Sequence, residues 1–125
     1  MSNPKHQAHE PRWLSIGLIV LVTALAFART LGGELVYDDH LLIGRNPLIA
    51  DLGRLPELFS SSYWDFLDPQ TAQHVGYYRP LSMLALTLVY HVGDAAPWSF
   101  HLASILLHAA AALGAWAIAR RLLSS

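Results

Sequence analysis

Two adjacent carboxylates, Asp38 and Asp39, stand in the run Leu35-Val36-Tyr37-Asp38-Asp39-His40, a few residues after an apolar segment ends. Neighbouring carboxylates repel, so each raises the cost of ionising the other, and sites that hold such pairs together often use them to move protons. The competing reading is that of two solvated loop residues. Their position decides how much weight the pair carries, because the segment before them is long enough to cross a membrane.

Composition narrows the class. Only 14% of residues are charged, against about a quarter in an average soluble domain. The formal net charge is −1, which gives no electrostatic argument for nucleic acid as a partner. There is no cysteine, so disulfide frameworks and thiolate metal sites are excluded. The scarcity of charge is concentrated in two segments, and the chain reads as an all-α membrane protein.

The first segment spans residues 13–31, with Arg29 as its one charge. At helical rise it covers about 28 Å, close to a hydrocarbon core of roughly 30 Å. The second spans residues 97–121 and carries Arg120 and Arg121 at its end. Lys5 and Arg12 precede the first span. The connecting segment, 32–96, holds Glu34, Asp38, Asp39, Asp51, Glu57, Asp65, Asp68 and Asp94 against Arg45, Arg54 and Arg79. Basic residues favour the cytoplasmic side, which places the tail 1–12 and the end 122–125 in the cytoplasm and the loop outside. Arg29 fits by snorkelling to the outer interface. Ala26-Phe27-Ala28 also fits a signal-peptide cleavage site, a competing outcome that would release the rest of the chain.

Within the loop, Gly32-Gly33 breaks the first helix, Asn46-Pro47 marks a turn or short extended piece, and Asp51 can cap a short helix through Phe59. Tyr63-Trp64-Asp65-Phe66 fits either the headgroup zone or a small packed core. Pro80 opens a helix over residues 80–92 that Gly93 stops. It spans only about 20 Å and is better placed in the interface than across the bilayer, a re-entrant segment being the alternative. On the second span His101, Ser104, Ile105, His108, Ala112 and Ala115 share one face. Ionisable and small residues there call for protein on that side, and a hydrogen bond to another helix suits His108.

The ordered blocks Val36-Tyr37-Asp38-Asp39-His40, Asn46-Pro47-Leu48-Ile49, Tyr77-Tyr78-Arg79-Pro80-Leu81 and Pro97-Trp98-Ser99-Phe100-His101 through Leu107-His108 resemble the N-terminal part of GT-C class membrane glycosyltransferases. The likeness is to the transmembrane and tetratricopeptide-repeat O-mannosyltransferases and their bacterial relatives. It covers nearly the whole chain after Gly32.

The resemblance implies two transmembrane helices of a multipass bundle, joined by a long external loop with short interfacial helices, in a bacterial inner membrane. It implies transfer of a mannose-like sugar from a polyprenyl-phosphate donor to an acceptor hydroxyl, such as a protein serine or threonine. Asp38 or Asp39 would then be the base. Arg79 would bind the donor phosphate, with Tyr78 and His101 lining the same pocket; an arginine snorkelling to lipid phosphate is the competing role. No cofactor is implied beyond the donor substrate, and the ligands for a divalent metal are too few. The chain has none of the further spans that such enzymes use to close their cavity, which makes it a fragment expected to be inactive alone. The alternative is a small non-enzymatic membrane protein that packs on partner helices through His101 and His108.

Overall fold

The computed structural model describes residues 11–67 and 77–124, so Lys5, Asp68 and most of the N-terminal tail lie outside the described residues. Among the described residues all regular structure is helical. Helix α1 covers Arg12–Phe27 and tightens into a 3-10 segment, Ala28–Gly32. Two single-turn helices follow, α2 (Asp39–Leu42) and α3 (Pro47–Ala50), and then a 3-10 helix over Leu52–Phe59. Helix α4 is Pro80–Val92 and helix α5 is Pro97–Leu123.

The two long segments fall where the apolar runs put them. Arg12–Gly32 has 21 residues and Pro97–Leu123 has 27, so each exceeds a hydrocarbon core of about 30 Å at helical rise. Almost none of the apolar window in either is covered by protein. A core helix of a soluble protein would be covered, and a helix facing lipid is not. Helix α5 runs two residues past the expected end at 121. Arg120 and Arg121 lie in its last turn, where positive charge meets the negative end of the helix dipole and favours continuation.

The described residues form two compact units, one of residues 11–28 with 105–124, the other of residues 29–104. In the first, the Phe27 and His108 rings meet edge to face with centroids 5.0 Å apart. His108 is thus engaged by an aromatic edge. The partly covered face of α5 here is Ile105, Ala109, Ala112, Leu113 and Trp116, while His108 and Ala115 are exposed. That face is rotated from the expected stripe. The reason is physical: a helix apolar all round has no strong period, so contact area decides which side packs.

The second unit has its own apolar core. Leu42, Ile43, Leu48, Ile49, Leu58, Met83 and Phe100 are buried, and Tyr63, Trp64 and Phe66 pack against them. The aromatic cluster therefore belongs to a packed loop core. Helix α4 lies against both α3 and the 3-10 helix. Asn46 does more than mark a turn, because its Oδ1 accepts from Leu48 N at 2.9 Å and Pro47 follows as the first helical residue, the favoured way to start a helix. Asp51 caps the 3-10 helix in the same manner, accepting from Gly53 N at 2.8 Å. Met83 and Thr87 form the buried side of α4, and the Thr87 hydroxyl donates to the Met83 carbonyl at 2.9 Å. Leu81, Leu88 and Val92 remain exposed on the same helix.

Helix α4 ends at Gly93, and the chain turns through Asp94 and Ala95, both at positive φ (51° and 57°). Gly93 is required for space. A Cβ there would overlap the Cβ and Oγ of Ser99. Gly93→Ala is expected to destabilise this unit by about 1–3 kcal/mol, the usual range for overpacking. Thermal unfolding in detergent checks it, and Ser99→Gly in the same chain should restore most of the loss.

Candidate functional site

The acidic pair is presented by a strained turn. Tyr37 has φ 50°, a left-handed conformation that is costly for a bulky residue and common at functional sites. The turn it makes sends Asp38 into the N-cap position of α2 and Asp39 into its first turn. The Asp38 carbonyl accepts from Leu41 N at 3.0 Å and Leu42 N at 2.8 Å, while its side chain makes no capping bond. Leu42 and Ile43 are buried in the core and anchor the turn from below. Asp38 is left exposed and Asp39 half-buried. Among the described residues, neither carboxylate has an ion-pair partner within 4.0 Å.

Arg79 sits at the start of α4, exposed, in the N-cap position. Its guanidinium carbon lies 5.0 Å from the Tyr77 ring centroid and 5.7 Å from that of Tyr63, within the range of cation–π attraction. The two tyrosines are tied together through the backbone. Tyr63 N donates to the Tyr77 carbonyl at 2.7 Å and Ser62 Oγ donates to the same oxygen at 3.3 Å. Attraction to two rings restrains the guanidinium, whose N–H donors form a fork suited to an oxyanion. Arg54, by contrast, is taken up by a bidentate pair with Glu57, Nε to Oε1 at 3.0 Å and a terminal nitrogen to Oε2 at 2.7 Å. That pair lowers the Glu57 carboxyl and raises the Arg54 guanidinium from their ordinary values.

Tyr63 is half-buried beside Arg79. Its phenol is pushed above the ordinary value of 10.0, first by burial, with Arg79 acting against the shift and the charges of Asp39 and Asp38 adding to it. Sequence reasoning singled out Asp38, Asp39 and Arg79 but missed Tyr63 and Tyr77 as the residues that hold the arginine. Tyr77 stands two positions before Arg79 and offered a signal; Tyr63, sixteen positions before it, offered none.

The other two expected pocket residues are placed differently. The Tyr78 hydroxyl donates to the Phe59 carbonyl at 2.9 Å, so its polar end secures the end of the 3-10 helix. His101, near the start of α5, has a buried Nε2 without a hydrogen-bond partner, 3.5 Å from where a Cβ on Gly33 would stand. It lies beside the turn that ends the first span and makes no hydrogen bond to the arginine cluster. Among the described residues there is no group of three or more His, Asp or Glu side chains arranged to hold a metal.

The fold and site define a helical membrane protein whose loop unit exposes an acidic turn and an aromatic-clamped arginine around one tyrosine. Comparison with known proteins supplies the family resemblance. Over most of its length the chain is similar to the protein O-mannosyl-transferases. It is 36% identical over 100 residues to protein O-mannosyl-transferase Tmtc2 of Drosophila melanogaster, covering 79% of this chain and 11% of that protein. The match to the tmtc2 protein of Xenopus laevis is 34% over 86 residues, 69% of this chain and 10% of the relative. That to TMTC4 of Mus musculus is 31% over 99 residues, 78% of this chain and 13% of the relative. The likeness to the transmembrane and tetratricopeptide-repeat O-mannosyltransferases is thereby shown, and the chain spans about a tenth of the length of these relatives. No family model matches the sequence, and no solved structure matches it.

Burial of the Tyr63 phenol makes its ionisation part of the folding equilibrium. The folded state holds the phenol proton more tightly than the unfolded chain, so this contribution to stability is complete below the ordinary phenol value of 10.0 and is lost as pH rises through the folded value. Ultraviolet difference titration of the protein against Tyr63→Phe should show Tyr63 ionising above its ordinary range. Arg79→Gln should move it higher still, and Asp39→Asn should move it lower.

Proposed function

We propose that the loop unit is the catalytic face of a glycosyltransferase that moves a mannose-like sugar from a polyprenyl-phosphate donor to an acceptor hydroxyl, such as a protein serine or threonine. Asp38 or Asp39 takes the hydroxyl proton as the acceptor oxygen bonds to the anomeric carbon. The bond from that carbon to the donor phosphate oxygen breaks, and its electron pair leaves with the phosphate. Arg79 meets the growing charge there with a fixed fork of donors. Its tyrosine neighbours hold the fork in place, which reduces the reorganisation needed at the moment of transfer.

The observation that carries this reading is that one loop unit presents the Asp38-Asp39 turn, without an ion-pair partner among the described residues, together with Arg79 held against the Tyr63 and Tyr77 rings. A base and a phosphate-binding cation must flank one reacting centre, and these three groups are the ones that the reaction calls for. The names of the relatives support the same chemistry. In this reading the chain's ends lie in the cytoplasm, the loop faces outward from a bacterial inner membrane, and further helices must close the cavity. Two spans alone cannot exclude water from it, so the isolated chain is proposed to be inactive.

Sugar transfer to a serine- or threonine-bearing peptide, measured in a form that includes the remaining helices, tests the assignment. Whichever of Asp38→Asn and Asp39→Asn removes the base should lower the rate by about 10²–10⁴-fold. Arg79→Gln should weaken use of the donor more than Arg79→Lys. Undiminished transfer in both aspartate variants would remove the pair from the mechanism.

A further inference from the structure

A second charged site belongs to the unit of paired spans. A cleft of about 410 Å³ opens there between the first turns of α1 and the last turns of α5, lined by Arg12, Ile16, Trp116, Arg120, Arg121 and Ser124. The volume falls within the usual range for small-ligand sites. Three arginines line it, and among the described residues none that lines it is acidic. Ionisable groups of one sign gathered in a cleft focus the field and attract the opposite charge.

The cleft is also organised. Arg120 is half-buried, and its guanidinium carbon stands 4.9 Å from the Trp116 ring centroid. Cation–π attraction to the ring restrains the guanidinium, whose fork of N–H donors suits a planar oxyanion. Arg12 approaches from the other helix, so an anion between the two is held from both sides. Ile16 and the half-buried indole of Trp116 supply apolar wall on the side toward the helix middles.

Position selects the anion. The cleft closes the ends of two membrane-length helices, where headgroups and the first acyl carbons lie, and tryptophan is enriched at that depth. A free anion would use the arginines and leave the apolar wall bare; a phospholipid uses both. We propose that this cleft binds the phosphate headgroup of an anionic membrane phospholipid, with Arg12 and Arg120 on the phosphate and Trp116 and Ile16 against the glycerol and acyl start. Such a lipid would join the ends of the two spans through one headgroup and reduce the mutual repulsion of the arginines. The site is separate from the proposed transfer chemistry and does not depend on it.

Native mass spectrometry of the full chain, released from detergent containing equal phosphatidylglycerol and phosphatidylcholine, tests the proposal. Phosphatidylglycerol should be retained in preference. Arg12→Gln and Arg120→Gln should each lower that retention about fivefold, the effect expected of one basic residue at an anionic surface. Arg29→Gln, near the other end of the first span, should leave it unchanged. Arg12 is exposed at the start of its helix, so its variant can be checked for unaltered helical circular dichroism even if the Arg120 variant fails to fold. Equal retention of the two lipids would overturn the proposal, as would an Arg29→Gln effect as large as that of Arg12→Gln. Displacement of the lipid by inorganic phosphate alone would overturn its assignment as a lipid site.

Discussion

The contact on which the loop unit rests is the packing of α4 against α3 and the 3-10 helix that follows it. Ile49 and Leu58 are at 0% and 1% exposure, and Met83 at 3%, so three elements that are too short or too irregular to persist alone meet in one dry centre. Single-turn helices have no independent stability, because nucleation costs more than a few hydrogen bonds return. Burial of large aliphatic side chains at about 1.5–3 kcal/mol each supplies what local structure does not. Both chemical elements of the site hang from this centre. Arg79 is the residue before α4, and the acidic turn leads into Leu42 and Ile43, which are part of the same core.

This arrangement separates what is buried from what reacts. Packing holds the backbone of the Tyr37–Asp39 turn and of Tyr77–Arg79, while Asp38 and Arg79 themselves remain exposed. A fully buried carboxylate would be neutral or would need a partner. A fully solvated arginine would be free to adopt many rotamers. The structure takes an intermediate course, leaving the carboxylates without partners among the described residues and confining the arginine by two aromatic rings. Tyr63 is packed on the core, tied through its backbone to Tyr77 and set beside Arg79.

The paired spans follow a different logic. Their side chains face outward almost everywhere, so they have little apolar surface to gain by packing on each other in lipid. Specific contacts stand out against that background: the Phe27–His108 edge contact and the arginine–tryptophan stack of Arg120 and Trp116. In a low-dielectric surrounding such polar–aromatic contacts are stronger than in water. They lie on a face that the sequence pattern of histidines and small residues only approximated.

The sequence by itself determined the elements whose cause is local or additive. Length and apolarity set the two membrane-length helices, Pro80 and Gly93 set the bounds of α4, and Asp51 capped its helix, whereas Asn46-Pro47 read only as a turn or extended piece and the structure showed Asn46 to be a cap. The order of short blocks carried the family resemblance, and the acidic pair and Arg79 were legible from their residue types. Tertiary structure decided the rest. That Tyr63 and Tyr77 clamp Arg79, that Tyr78 turns to Phe59, that His101 lies beside Gly33, and which side of α5 is covered all depend on residues distant along the chain. These are matters of packing: in a helix apolar on every side, or a loop with many aromatics, no periodicity selects a partner. Only the competition for contact area in three dimensions does so.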